Sequence, residues 1–278
     1  MRQHLRGIDH VVILVGDLDQ AARAYAAMGF TLTPRGHHTL GSQNHCIMFG
    51  TDYVELLAVP RPHPAMQYFT DFLARGEGLG AIAFASDDAA AAQREFAAAG
   101  IAADAPLDFS RPVRLGAESR DARFRIVQLP VQHTPGCRTF VCQHFTREVV
   151  WRPEFQAHEV GATGLAGIAV VAEEPAAAAQ GYAQLLGERA QPIADGLRVD
   201  TGSAPVTVGG RQRFADRLRG AALPPRPAPL VAALFISVSD RARAAAALRR
   251  GGLAPVQLAD GSCAVGADRA HGVALVFG

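Results

Sequence analysis

Lysine is absent from this chain: all 27 basic residues among its 278 are arginine. That excludes Schiff-base catalysis, pyridoxal-phosphate attachment and a Walker-type phosphate lysine together. Cysteine is scarce, at Cys46, Cys137, Cys142 and Cys263, and no two of these form a CxxC pair. A structural zinc cluster or a disulfide framework is therefore not expected, and the thiols read as reduced and partly buried. No apolar run approaches the ~20 residues of a membrane span. Residues Met1–Val12 lack the basic-then-apolar layout of a secretory signal. A net charge of only +1 gives no electrostatic reason to expect nucleic acid or an anionic membrane as partner. No Gly-x-Ser-x-Gly elbow occurs, and Gly76-Glu-Gly-Leu-Gly precedes a strand pattern instead of following one, which excludes a hydrolase elbow and a dinucleotide fingerprint. A soluble, cytoplasmic protein is therefore expected.

What is present is a unit that recurs four times: an apolar strand, an acidic cap, an Ala-rich helix and a glycine. The copies run His10–Asp17 to Gly29, Ala81–Asp88 to Gly100, Gly167–Glu174 to Gly187 and Ala233–Asp240 to Gly251. Each acid follows the first residue by seven, and each glycine follows the acid by eleven to thirteen. Such repetition sets the architecture before any local signal does. Asp17, Asp88 and Asp240 suit N-caps, Glu174-Pro175 a proline-led first turn, and the four glycines left-handed C-caps. Shorter strand patterns follow each helix, at 30–34, 46–49 and 53–59 in the first copy, at 123–129 and 139–145 in the second, and at corresponding places later. Each module therefore reads βαβββ. One module leaves its sheet half uncovered, so the α+β chain is expected to pair four modules into two curved, barrel-like mixed sheets with helices outside. The linker at 147–163 places the boundary near residue 160, giving units 1–160 and 161–278; a Pro-rich stretch at 223–230 leads into the fourth module.

Chemistry is distributed unevenly over this frame. Nine of the ten histidines lie at or before His158. Only the first copy begins with histidine; the others begin with Ala81, Gly167 and Ala233. Glu55 is a carboxylate in the apolar strand Tyr53-Val-Glu-Leu-Leu. It needs a partner, a metal or a solvent-facing side, and strand alternation leaves the last of these open.

The motif Gly7-Ile-Asp-His-Val-Val-Ile-Leu-Val with Asp17-Leu-Asp, Gly29-Phe and Tyr53-Val-Glu-Leu-Leu resembles the vicinal oxygen chelate superfamily. More narrowly the chain resembles its glyoxalase-like domain proteins, relatives of glyoxalase I, the extradiol dioxygenases and the bleomycin-resistance proteins. The resemblance implies a cup around a divalent metal (iron, manganese, nickel or zinc), with His10 and Glu55 as first-strand and last-strand ligands. The third ligand would be His144 or Gln143. Glu55 doubles as a general base, and His45 is a second candidate catalytic group, since histidine titrates near neutrality. For the small-molecule substrate that the resemblance implies, His38, Asn44, Arg125 and Trp151 are candidate binding residues; Arg111, Arg114, Arg120, Arg123 and Arg125 crowd the second module's strands, and one of them directed into the cup could hold a carboxylate bidentately.

Two function classes follow from the resemblance. The first is a metal-dependent enzyme acting on a substrate chelated through vicinal oxygens, by isomerisation, a lyase step or oxygen insertion. The second is a metal-free binding or sequestering protein of the same fold, favoured by the three first-strand positions that lack histidine. A four-module chain forms a pseudo-dimer complete as a monomer, and a homodimer also remains open.

Overall fold

The computed structural model describes residues 1–61, 63–115 and 118–278. The first half contains β1 (Ile8–Leu14), α1 (Leu18–Ala27), β2 (Gly36–His37), β3 (Gln43–Met48), β4 (Tyr53–Ala58), α2 (Gln67–Leu73), β5 (Gly78–Ala85), α3 (Ala89–Ala98), β6 (Leu107–Leu115), β7 (Glu118–Gln128), β8 (Arg138–His144) and α4 (Arg147–Val150). The second contains β9 (Ala162–Val171), α5 (Pro175–Leu186), β10 (Gln191–Ile193), β11 (Gly196–Val199), β12 (Val206–Gly209), α6 (Arg211–Leu218), β13 (Leu230–Val238), α7 (Arg241–Arg250), β14 (Val256–Gln257), β15 (Cys263–Val265) and β16 (Ala274–Phe277). The strands form two eight-stranded mixed sheets, ordered β2-β3-β4-β1-β5-β8-β7-β6 and β10-β11-β12-β9-β13-β16-β15-β14. The order is the same in both, and the α+β architecture of curved sheets is as the sequence leads one to expect.

Local chemistry explains the helix boundaries. Asp17 accepts from the Gln20 amide, Asp88 from Ala91, and Asp240 from Ala242 and Arg243, each satisfying a donor the first turn leaves unpaired. Gly187 takes the left-handed C-cap, at φ 67°. Gly251 does not: its φ is −74°, and Gly252 adopts the left-handed geometry instead. What Gly251 provides is proximity, because a Cβ there would lie 1.7 Å from the Ala27 carbonyl oxygen at the end of α1.

That contact reflects how the halves combine. One continuous apolar cluster runs from the convex face of the first sheet (Val11, Ile13) through Tyr25, Phe96, Tyr182 and Leu248 of the helices to the convex face of the second (Ile168, Val170). Polar bonds cross the same layer. Ser203 Oγ accepts from the Ile8 amide at 2.8 Å, the Tyr25 hydroxyl donates to the Ala270 carbonyl at 3.1 Å, and Asp52 Oδ1 accepts from the Leu165 amide at 3.0 Å.

The concave faces differ. In the second sheet Phe214 and Leu218 of α6 are fully buried against Ala169, Ala233 and Ala274, so the chain's own helix fills that cup. In the first sheet Met66, Phe69 and Phe72, from α2 and the short turn before it, cover part of the concavity and leave a cavity. Helix α2 is not expected from the sequence, and β6 is the second module's remaining strand, to which the sequence assigns no bounds. Expected strand 30–34 is irregular chain, and the edge strand forms at β2 instead. No helix among the described residues is long and apolar enough to cross a membrane.

Two measurements test this packing. Gly251→Ala should lower stability by about 1–3 kcal/mol in denaturant titration, since neither backbone can yield without opening the helical layer; an unchanged midpoint would refute the close approach. Burial pushes the Asp52 carboxyl up to about 6, against the hydrogen bonds it accepts from Leu165 and Thr51. A raised folded-state pKa favours the protonated fold, so this contribution is complete below about pH 4 and lost as pH rises through its folded pKa. Asp52→Asn keeps an acceptor without the charge. Its stability relative to wild type should therefore rise between about pH 4 and pH 7, and a pH-independent difference would contradict the assignment.

Candidate active site

The site is organised by a bulge in β1. Ile8 and Val11 both belong to the convex apolar cluster, while Val12 and Leu14 face the cup. Pairing with β5 shifts register between Ile8 and His10, so two residues of β1, Asp9 and His10, stand opposite one partner position. The bulge gives both side chains buried positions at the head of the cup.

Asp9 Oδ1 lies 2.6 Å from His10 Nδ1 and 3.0 Å from His144 Nε2. Burial alone would raise the Asp9 pKa, but the His144 charge and the two histidine hydrogen bonds outweigh it and hold the carboxyl well below its ordinary range. An ionised carboxylate only accepts, so both imidazoles donate to Asp9. His10 is further fixed by stacking on Tyr53, with ring centroids 4.4 Å apart and planes 16° from parallel. Its Nε2 then points at Glu55, 3.7 Å from Oε2.

Glu55 faces inward on β4 between Tyr53 and Leu57, while Val54 and Leu56 face the helices. Both faces of this strand are buried, which removes the solvent-facing option. Three groups surround the carboxylate. His10 is one. His38 Nε2 lies 3.9 Å from Oε1, with its Nδ1 2.9 Å from Ser42 Oγ. Asn44 Nδ2 donates to Oε1 at 2.5 Å. Burial lowers the His38 pKa to about 4, the Glu55 charge opposing the shift, so His38 is neutral near pH 7. Tyr53 is pushed the other way, well above its usual value, by burial and by the Asp9 and Glu55 charges; its phenol stays protonated.

The sequence-predicted residues are therefore placed unequally. His10, Glu55, His38 and Asn44 converge on the cup. His144 reaches Asp9, at the Nδ1 end of the His10 ring, and its own Nδ1 is buried without a hydrogen-bond partner. Gln143 is turned to the other face, where it accepts from the Ala89 amide and donates to the Asp87 carbonyl at the start of α3. His45 also leaves the cup: it alternates with Asn44 and Cys46, and its Nδ1 donates to the Thr33 carbonyl at 2.7 Å. Trp151 packs against Tyr53 and His144 beneath the Arg147 guanidinium and does not line the cavity. Arg125 points outward and is paired with Asp108 at 2.6 and 2.8 Å. The arginine that enters the cup is Arg111 on β6, between Phe109 and Val113.

Among the described residues, the one group of three potential metal ligands whose donor atoms all lie within 4.8 Å is Asp9, Cys142 and His144; His10, Glu55 and His38 are more open than that. The cup itself has about 60 Å³ of open space. Its walls are largely apolar and aromatic, from Phe109, Phe124, Ile126, Phe140, Met66 and Phe69. Two buried acceptors on those walls, Asn44 Oδ1 and Gln128 Oε1, have no hydrogen-bond partner. In the second half the only histidine, His271, donates across the halves to Glu77 at 2.7 Å.

A family model described as a glyoxalase-like domain matches residues 8–186, well over half of the chain. Three solved structures share the fold. A hypothetical protein from Staphylococcus aureus has a TM-score of 0.67 at 11% identity, with 98% of each chain covered. A xylose isomerase-like TIM barrel/4-hydroxyphenylpyruvate dioxygenase fusion protein gives 0.58 at 15%, covering 91% of this chain and 40% of that one. A 4-hydroxymandelate synthase variant from Streptomyces coelicolor gives 0.55 at 15%, covering 92% and 77%. At these identities the likeness is one of fold. No curated protein matches the chain.

The Asp9 bridge has a direct test. Asp9→Asn cannot accept from both imidazoles as a charged group does, and should cost at least about 2 kcal/mol of stability. A strongly deshielded imidazole N–H proton should appear in the NMR spectrum of the wild type and vanish in the variant. Its persistence would show that another group holds His10.

Proposed function

The chain belongs to the glyoxalase-like domain family of the vicinal oxygen chelate superfamily, and from that we propose that the cup of its first sheet is the active site of a divalent-metal-dependent enzyme. Its substrate would be a small molecule presenting two adjacent oxygens. The observation that carries this reading is the arrangement around Glu55: two imidazoles aim Nε2 at its two oxygens, each with Nδ1 already engaged by the protein. A histidine whose other nitrogen is held by a carboxylate or hydroxyl is the arrangement in which outer partners fix a metal ligand. His10, His38 and Glu55 would hold the ion, with two nitrogens and one carboxylate suiting iron, manganese, nickel or zinc. This set replaces His144 with His38, because His144 is directed to Asp9.

Such an ion would supply Lewis-acid polarisation of the chelated oxygens. Asp9 fixes the tautomer and direction of His10. His38 enters as neutral imidazole, the form that binds metal, because burial suppresses its protonation. Asn44 steadies one oxygen of Glu55, and Glu55 is the group suited to take a proton from a substrate carbon beside the chelated oxygens. The aromatic walls exclude bulk water. Isomerase, lyase or dioxygenase chemistry would each be compatible with such a site. The inward positions of β5, Ala81 and Ala83, carry no donor, and this favours a second reading in which the cup binds its ligand without metal.

Elemental mass spectrometry after reconstitution with iron, manganese, nickel and zinc separates the two. Near-stoichiometric metal is expected in the wild type, falling at least about tenfold in His10→Ala, His38→Ala and Glu55→Gln at matched stability. No bound metal under any condition would leave the metal-free reading. Metal that survives all three substitutions but disappears in Cys142→Ser would move the ion to Asp9, Cys142 and His144.

A further inference from the structure

Arg111 is the one feature of the cup that the chelating residues do not explain. It lies on β6, where Phe109, Arg111 and Val113 face inward and Asp108, Pro112 and Arg114 face outward. Its side chain is 6% exposed and lines the cavity. No hydrogen bond or ion pair satisfies its guanidinium among the described residues. The inward carboxylate, Glu55, is instead engaged by Asn44 and faced by His10 and His38. Gly36 makes room for this arrangement: a Cβ there would lie 2.3 Å from Asn44 Oδ1 and 3.2 Å from Arg111 Nη1. A guanidinium that lines the cavity with no protein acceptor among the described residues is free to take one from a ligand, and its five donors form a fork matched to a planar oxyanion. Around it the walls are aromatic, with Phe109 stacked on Phe124 at 5.0 Å and Phe140 across the cup.

We propose that Arg111 anchors the carboxylate of a small organic acid whose apolar body lies against Phe109, Phe124 and Phe140. The proposal rests on the cup being the substrate site, and names the class of substrate it takes. Guanidinium at one wall and Glu55 with its imidazoles at the other would place the acid in a fixed orientation, in which a hydroxyl on the acid could donate to the unpartnered acceptor Asn44 Oδ1 or Gln128 Oε1. The charge that would be bound from solution is then on the ligand, not on a neighbouring strand.

The test uses calorimetry and thermal denaturation with glycolate, pyruvate, neutral glycolamide and inorganic phosphate, all small enough for the cup. Wild type should bind at least one of the acids at least about tenfold more tightly than the amide, the difference expected of a charge-assisted hydrogen bond. Arg111→Gln should lose that discrimination, and Arg111→Lys, which keeps the charge without the fork, should fall between them. The lysine variant also guards against a glutamine variant that fails to fold. Equal binding of acid and amide, unchanged acid binding in Arg111→Gln, binding of phosphate in place of both acids, or no binding by either acid would overturn the assignment. Repeating the titrations on chelator-treated wild type separates the two ideas. Arg111-dependent acid binding that survives in protein unable to take metal would leave this anchor standing while the metal reading fails.

Discussion

Each eight-stranded sheet has two faces to keep from water, and the way its concave face is covered decides where chemistry can occur. The convex faces share one layer of helices, so both are closed by the same residues. The second concave face is closed by Phe214 and Leu218, which occupy the volume a ligand would need. The first keeps a cavity into which His10, His38, Glu55 and Arg111 face, whereas the space left beside α6 in the second half is lined by arginine and aspartate without histidine. The concentration of histidine in the first half, nine of ten, is the sequence counterpart of that difference.

Within the cup, one buried charge positions the rest. Asp9 is tolerable in an apolar interior because two imidazoles donate to it. In return it dictates which nitrogen of His10 faces Glu55. The bulge in β1 is what makes this geometry available, since an unbroken strand would send Asp9 and His10 to opposite faces. Tyr53 beneath His10 and Asn44 beside Glu55 remove the remaining freedom of the two groups. The site is therefore held by side chains on strands, with His38 on the loop after β2 the exception.

Much of this was legible in the sequence where the signal was periodic. Strand–cap–helix–glycine spacing gave the order of elements and three of the N-caps, and the Asp-His and Tyr-Val-Glu motifs located His10 and Glu55. Arg111 was also accessible: its neighbours at two-residue spacing, Phe109 and Val113, mark the inward face, just as Phe124 and Ile126 mark Arg125 as outward. The bounds of its strand are hidden because Asp108, Arg111, Pro112 and Arg114 interrupt the apolar alternation. His45 was misjudged for a related reason, since adjacent histidine and asparagine on a strand must part to opposite faces. The bulge at Asp9 and the filling of the second cup by α6 had no local signature. Both depend on contacts made by strands and helices distant in sequence.

The helical layer common to both sheets also changes what the second half contributes. Tyr182 and Leu248 belong to the same apolar cluster as Val11 and Ile13, the convex-facing side chains of the strand that carries His10. Unfolding one sheet strips a wall from the other, so the two halves have little opportunity to open independently. The second half thus acts on the cup through cooperativity: it governs how much of the time the cup exists. Substitutions there would change the abundance of working molecules while leaving the behaviour of each one untouched.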